Sequence, residues 1–390
     1  MTHAQTYLDY NATTPVKPDV MQAMVSALQQ VGNPSSVHRH GRLARRLLDD
    51  AREDVALLLG ASPREVVFTS GGTEANNLAL SLALSGGAVT RLLVSSIEHA
   101  SVIELAGALP VELTLIPCTK EGVIDLDALR VLLKEPVQQS GQTLVSVMMV
   151  NNETGIVQPV HEACDLAHEA GALFHCDAVQ AVGKMEFSWN DLGFDMMSVS
   201  AHKFGGPMGV GALVKKDICI LPALIRGGGQ EENRRGGTQN IPGIVGFGHA
   251  ASLARRDMMM LREIGLWRDL LEEKVAESAP DAIFFGRKAP RIPTTTCFAL
   301  PGLDAEKQVI ALDLAGVSVS AGSACSSGKV TSSHVVSAMG ASAEEAAGAI
   351  RISFGWASEE QDVGRFLSAW NEIYGKNCGT MDSNVLSRQM

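Results

Sequence analysis

From residue 65 the chain alternates short apolar runs with longer stretches whose apolar residues recur three and four positions apart. The short runs predict strands over 65–70, 91–96, 113–117, 143–151, 173–177, 196–200 and 211–215; helical spacing falls between several of them, over 73–85, 126–134 and 160–170. These strands are apolar at consecutive positions, so both faces of the sheet should be covered. The pattern specifies an α/β domain on a mainly parallel seven-stranded sheet, with ligands expected at the carboxyl ends of its strands. Ahead of it stand an extended lead-in over 6–15 and helices over 19–30 and 42–60, and a long helical pattern over 244–278 leads out of it. Strands over 282–285, 295–300, 317–320 and 350–354, alternating with helices over 305–314 and 359–374, then describe a smaller α+β domain. The expected division is 16–245 for the large domain and 246–376 for the small one, joined by the N-terminal segment 1–15, with a mobile polar tail over 377–390.

Composition narrows the setting. A chain of 390 residues exceeds one comfortable core, which agrees with two domains. Its net charge of −11 argues against nucleic acid or an anionic membrane as the main partner. Seven cysteines scattered along the chain make neither a disulfide framework nor a paired metal motif, so a reducing compartment fits. The first residues lack a basic flank followed by an apolar core, and no apolar run approaches the roughly 18 residues that span a bilayer. The expected location is cytoplasmic.

Candidate chemistry gathers at strand ends. Lys203 lies in Ser-Ala-His-Lys, residues 200–203, where a strand meets a glycine-rich turn, and an amine desolvated there becomes a usable nucleophile. Ser-Gly-Gly-Thr-Glu-Ala-Asn-Asn, 70–77, joins a strand to a helix, so free N–H groups and the helix dipole can cradle an anion; a helix cap at Thr73 would look the same. Asp177 ends the strand 173–177 with Gln180 three residues on, a placement suited to a pyridinium nitrogen and a ring oxygen, or simply to capping a helix. Amine, carboxylate and anion cradle in this order are the three anchors of pyridoxal 5′-phosphate.

With these stretches go Tyr-Leu-Asp-Tyr-Asn-Ala-Thr-Thr-Pro, Asn-Pro-Ser-Ser-Val-His, Glu-His-Ala-Ser-Val, Asn-Asn-Glu-Thr-Gly, His-Cys-Asp-Ala-Val-Gln and Gly-Ser-Ala-Cys. From Tyr7 to about residue 375 the chain resembles the cysteine desulfurases, a branch of the class V aminotransferase-like, fold type I pyridoxal phosphate enzymes. The resemblance implies Lys203 as the lysine that binds the cofactor covalently, Asp177 at the pyridine nitrogen and Gln180 at the phenolic oxygen. It implies His99 stacked on the ring and relaying protons, Asn152 in contact with cofactor and substrate, and Gly72, Thr73, Ser200 and His202 around the phosphate. Thr238 would reach the phosphate of a partner subunit, which makes a homodimer with shared sites. Arg351 resembles the arginine that takes the carboxylate of the substrate, L-cysteine.

Cys325, in Ser-Ala-Gly-Ser-Ala-Cys-Ser-Ser-Gly-Lys over 320–329, decides the reaction that this resemblance implies. Its thiolate would take sulfur from L-cysteine as a persulfide, leave L-alanine, and pass the sulfur to an acceptor such as an iron–sulfur scaffold protein, with a transient cluster-ligand role at that interface. Lys329 and His334 could favour the thiolate. Cys164 and His168 lie four apart on a helix near His161, but two ligands on one face do not close a metal shell. Met208 stands where the family commonly has lysine, and Glu231 to Thr238 is less basic than usual. Two alternatives remain at this point: a selenocysteine lyase or aminotransferase on the same scaffold, and a non-catalytic sulfur-relay protein.

Overall fold

The computed structural model describes residues 5–84, 89–137, 141–322 and 332–386. Its centre is a seven-stranded sheet that runs, edge to edge, Val66–Thr69, Gly211–Lys215, Met196–Ser200, Leu173–Asp177, Gln142–Ser146, Val89–Ser95 and Glu112–Ile116. All neighbours pair in parallel except at Gly211–Lys215, which runs against both of its own. The expected sheet is therefore present, with three strands at their expected bounds.

Consecutive apolar residues serve opposite faces of it. Leu92 and Val94 pack into one apolar cluster while Leu93 packs into the other, as the pleat requires. Helices Pro18–Leu28, Arg39–Leu59 and Ile241–Asp257 cover the larger cluster's side, and Gly72–Leu80 and Ala100–Ala108 contribute to the other. The helix Ala100–Ala108 has no counterpart among the expected elements, and the expected pattern over 244–278 is two helices, Ile241–Asp257 and Leu261–Ser278, parted by a tighter turn at Met258–Met260.

A second, antiparallel sheet orders Ser320–Ala321, Ile350–Ser353, Thr295–Ala299 and Ile283–Phe284 around its own core, which includes Phe298, Phe354, Phe366 and Trp370. The N-terminal strand Thr6–Tyr7 pairs with Val317–Ser318 beside this core, and Asp9 bridges to Ser353. The last helix, Glu360–Leu386, runs past residue 374 into the span expected to be a tail; residues 387–390 lie outside the described residues. Among the described residues no helix is long and apolar enough to cross a membrane.

Candidate active site

Five strands of the large sheet end at a cavity of about 360 Å³, which lies where the carboxyl ends of parallel strands leave backbone groups unpaired. Lys203 closes the tight turn Ala201–Lys203 that follows Met196–Ser200. Its Nζ donates to Asn11 O at 2.5 Å and Ala12 O at 2.9 Å, so the lead-in segment helps to hold the amine in place.

Asp177 ends its strand inside the cavity and is buried. Its Oδ2 accepts from Asn76 Nδ2 at 2.7 Å and its Oδ1 from the Val179 N–H at 2.9 Å. Capping a turn and presenting a carboxylate are thus the same geometry here. Gln180 lies beside it, with Nε2 donating to Asn11 O at 2.9 Å.

The helix Gly72–Leu80 starts at the cavity wall, with Gly71 at φ 158° and ψ −178° as its cap and no side chain capping it. Thr73 is therefore not the cap; it lines the cavity with Gly72. A Cβ on Gly72 would fall 2.8 Å from Val179 Cγ2, so only glycine lets the chain pass so close. Ser200 Oγ, buried at the same end, has no hydrogen-bond partner among the described residues. Uncapped N–H groups, the helix dipole and an unused hydroxyl together make a place for an anion.

His99 caps the helix Ala100–Ala108, where its Nδ1 accepts from the Ser101 N–H at 3.1 Å, which puts the proton of the neutral ring on Nε2. Burial lowers its pKa; Asp177 opposes this, while Lys203 and His334 add to it. His202 is pushed down to about 4, first by burial, then by Lys203 and Lys184. Both shifts favour the neutral imidazole.

Arg351 enters from the small sheet and is 2% exposed, not the surface residue that an alternating strand would suggest. Its Nη2 pairs with Asp9 Oδ1 at 2.7 Å and its Nη1 donates to Asn152 O at 3.1 Å, while Nε has no partner among the described residues. The guanidinium is thus fixed in direction yet keeps donor capacity for an incoming carboxylate. Asn152 also lines the cavity.

Ten of the twelve predicted site residues meet at this cavity: Gly72, Thr73, His99, Asn152, Asp177, Gln180, Ser200, His202, Lys203 and Arg351. Thr238 is exposed on the loop after Gln230–Asn233 and does not line the cavity of its own chain. Cys325 and Lys329 lie outside the described residues. The residues that flank that segment converge: Gly322 N donates to Ala349 O at 2.9 Å, and Ser333 Oγ donates to the buried Glu153 at 2.5 Å. His334 Nε2 meets the Glu98 carbonyl at 2.9 Å. Cys164 and His168 touch at 3.8 Å, but His168 Nε2 is engaged by Asp195 at 2.8 Å and burial pushes the thiol up to about 12.

Four participants carry no role in the sequence reading: Asn76, Asp9, Lys184 and Glu153. Asn76 was the most discoverable, since it follows Gly72 by one helical turn and so shares the cavity face. Asn11 is a hub whose main chain and side chain bind the small sheet at Ser353 and Thr295 and, on the other side, Asn152 and Lys184 in segments that follow strands of the large sheet.

The sequence model of the class-V aminotransferases matches residues 6–366. A cysteine desulfurase of Cereibacter sphaeroides is 45% identical over 370 residues, 93% of either chain. The cysteine desulfurase IscS of Dictyoglomus turgidum is 39% identical over 381 residues, 95% of either chain. Among solved structures, a NifS-like protein from Rickettsia africae superposes with a TM-score of 0.87 at 34% identity, covering 95% of this chain and 99% of that one.

Proposed function

This chain belongs to the class-V aminotransferase family, alongside the cysteine desulfurases, and on that premise we propose that it uses pyridoxal 5′-phosphate to convert L-cysteine to L-alanine, with the sulfur carried as a persulfide on Cys325. The observation that carries the reading is the meeting of Lys203, Asp177 and the start of helix Gly72–Leu80 at one cavity, with Arg351 beside them.

The residues suit that cofactor. Gly72, Thr73, the unpartnered Ser200 hydroxyl and His202 would hold its phosphate, and Asp177, steadied by Asn76, would keep its ring nitrogen protonated. When bound, the cofactor supplies an electron sink for negative charge at the substrate's α-carbon. Lys203 would hold the aldehyde carbon and, once displaced by substrate, take the α-proton. His99, with its proton on Nε2, would stack on the ring and relay a proton to it. Arg351 and Asn152 would fix the substrate carboxylate and turn its sulfur toward Cys325. Cys325 would attack the substrate's sulfur as thiolate: the S–S bond of the persulfide forms as the C–S bond breaks, the bonding pair stays with the β-carbon, where a proton completes L-alanine, and the sulfur is kept for an acceptor protein such as an iron–sulfur scaffold. Thr238 would complete the phosphate site of a second copy in a homodimer, and the setting would be cytoplasmic.

Cys325→Ala tests the reading. It should retain the visible absorbance of lysine-bound cofactor yet release no sulfide from L-cysteine, whereas Lys203→Ala should lose both. Catalytic sulfide release by Cys325→Ala would overturn the assignment.

A further inference from the structure

Lys184 takes no part in the scheme above, yet it is a lysine 6% exposed beside the cavity. Its Nζ donates to Gln180 Oε1 at 2.6 Å and to Asn11 Oδ1 at 2.8 Å, both uncharged acceptors. Burying an amine beside uncharged acceptors is costly.

An amide has a donor end and an acceptor end, and which one faces a site is decided by its other contacts. With Oε1 held by Lys184, Gln180 Nε2 is turned inward and donates to Asn11 O at 2.9 Å. The same carbonyl receives Lys203 Nζ at 2.5 Å. Two donors therefore converge on one oxygen at the base of the cavity. A flipped amide would set oxygen against that carbonyl, and the convergence would be lost.

We propose that Lys184 is a positioning residue: by holding Gln180 Oε1 and Asn11 Oδ1 it fixes the Gln180 amide with N–H toward the cavity, which selects a ligand bearing an electron-rich oxygen next to Lys203. This rests on the reading of the site as one for pyridoxal 5′-phosphate, whose phenolic oxygen is such a group. Burial, and after it the charges of Lys203 and Arg351, push the Lys184 pKa well below the usual lysine range.

The test titrates apo protein with pyridoxal 5′-phosphate for wild type, Lys184→Met, Gln180→Ala and the double variant. It follows both the dissociation constant and the pH midpoint of the visible absorbance. Lys184→Met should weaken binding about tenfold and shift that midpoint, and it should add nothing further in the Gln180→Ala background. Unchanged affinity and midpoint with only a lower unfolding temperature, or full additivity with Gln180→Ala, would overturn the role. If Lys184→Met does not fold, Lys184→Gln, which cannot reach both acceptors, takes its place in the cycle with the same outcomes. Wild-type protein that takes up no cofactor would sink the reading of the site; normal wild-type uptake with an indifferent variant would sink only the role of Lys184.

Discussion

Glu153 is 3% exposed and accepts from Ser333 at 2.5 Å, and burial raises its pKa from 4.5 to about 7 although Ser333 and Arg351 pull it down. The folded protein holds this proton more tightly than the unfolded chain, so the contribution is full below the unfolded value and is lost as pH rises through the folded one. Relative to wild type, Glu153→Gln should therefore gain about 2–3 kcal/mol between about pH 5 and pH 8; urea unfolding at the two values checks it, and parallel curves would refute it. Arg351→Lys, which removes the planar fork, should raise KM for L-cysteine roughly ten- to a hundredfold with a smaller change in kcat. At this scale the sequence was readable where a residue's role follows from its place at a strand end, as for Lys203, Asp177 and Gly72. Helical spacing puts Asn76 on the face of Gly72 and Lys184 within reach of Gln180, but the contacts with Asp177 and Asn11 that give them their roles span 101 and 173 residues and leave no mark in the sequence.

Helix Gly72–Leu80 works through its first turn, and Val179 packs against the point where that turn begins. Gly72→Ala should lower affinity for pyridoxal 5′-phosphate by about tenfold or more, and adding Val179→Ala should recover most of it; failure of the second change to rescue would mean that the steric contact is not the cause. Apolar pattern located the elements well where strand and buried run coincide, as at Leu173–Asp177 and Met196–Ser200. It overran at 143–151, because Val147 to Val150 are buried without being strand. Burial and extended pairing leave the same mark in a sequence. The helix Ala100–Ala108 was missed since only Val102 and Ala106 of it are buried, too few to write a period.

The two sheets are tied through the lead-in segment. Asn11 Nδ2 binds Asn152 O at 3.1 Å and Thr295 Oγ1 at 3.0 Å, its backbone N–H binds Ser353 Oγ at 2.9 Å, and its carbonyl receives Gln180 and Lys203. Asn11→Ala should cost about 2–4 kcal/mol of unfolding free energy and weaken cofactor retention with it; denaturant unfolding monitored alongside cofactor release would separate this from a purely local loss.

That tie also has a history in time. On the ribosome, Asn11 is made 342 residues before the Ser353 it binds, so the carbonyl that anchors Lys203 gains its final support only once Ser353 has emerged. A nascent chain with its large sheet already formed would still lack a finished floor under the amine, and uptake of the cofactor should wait for the strand that carries Ser353.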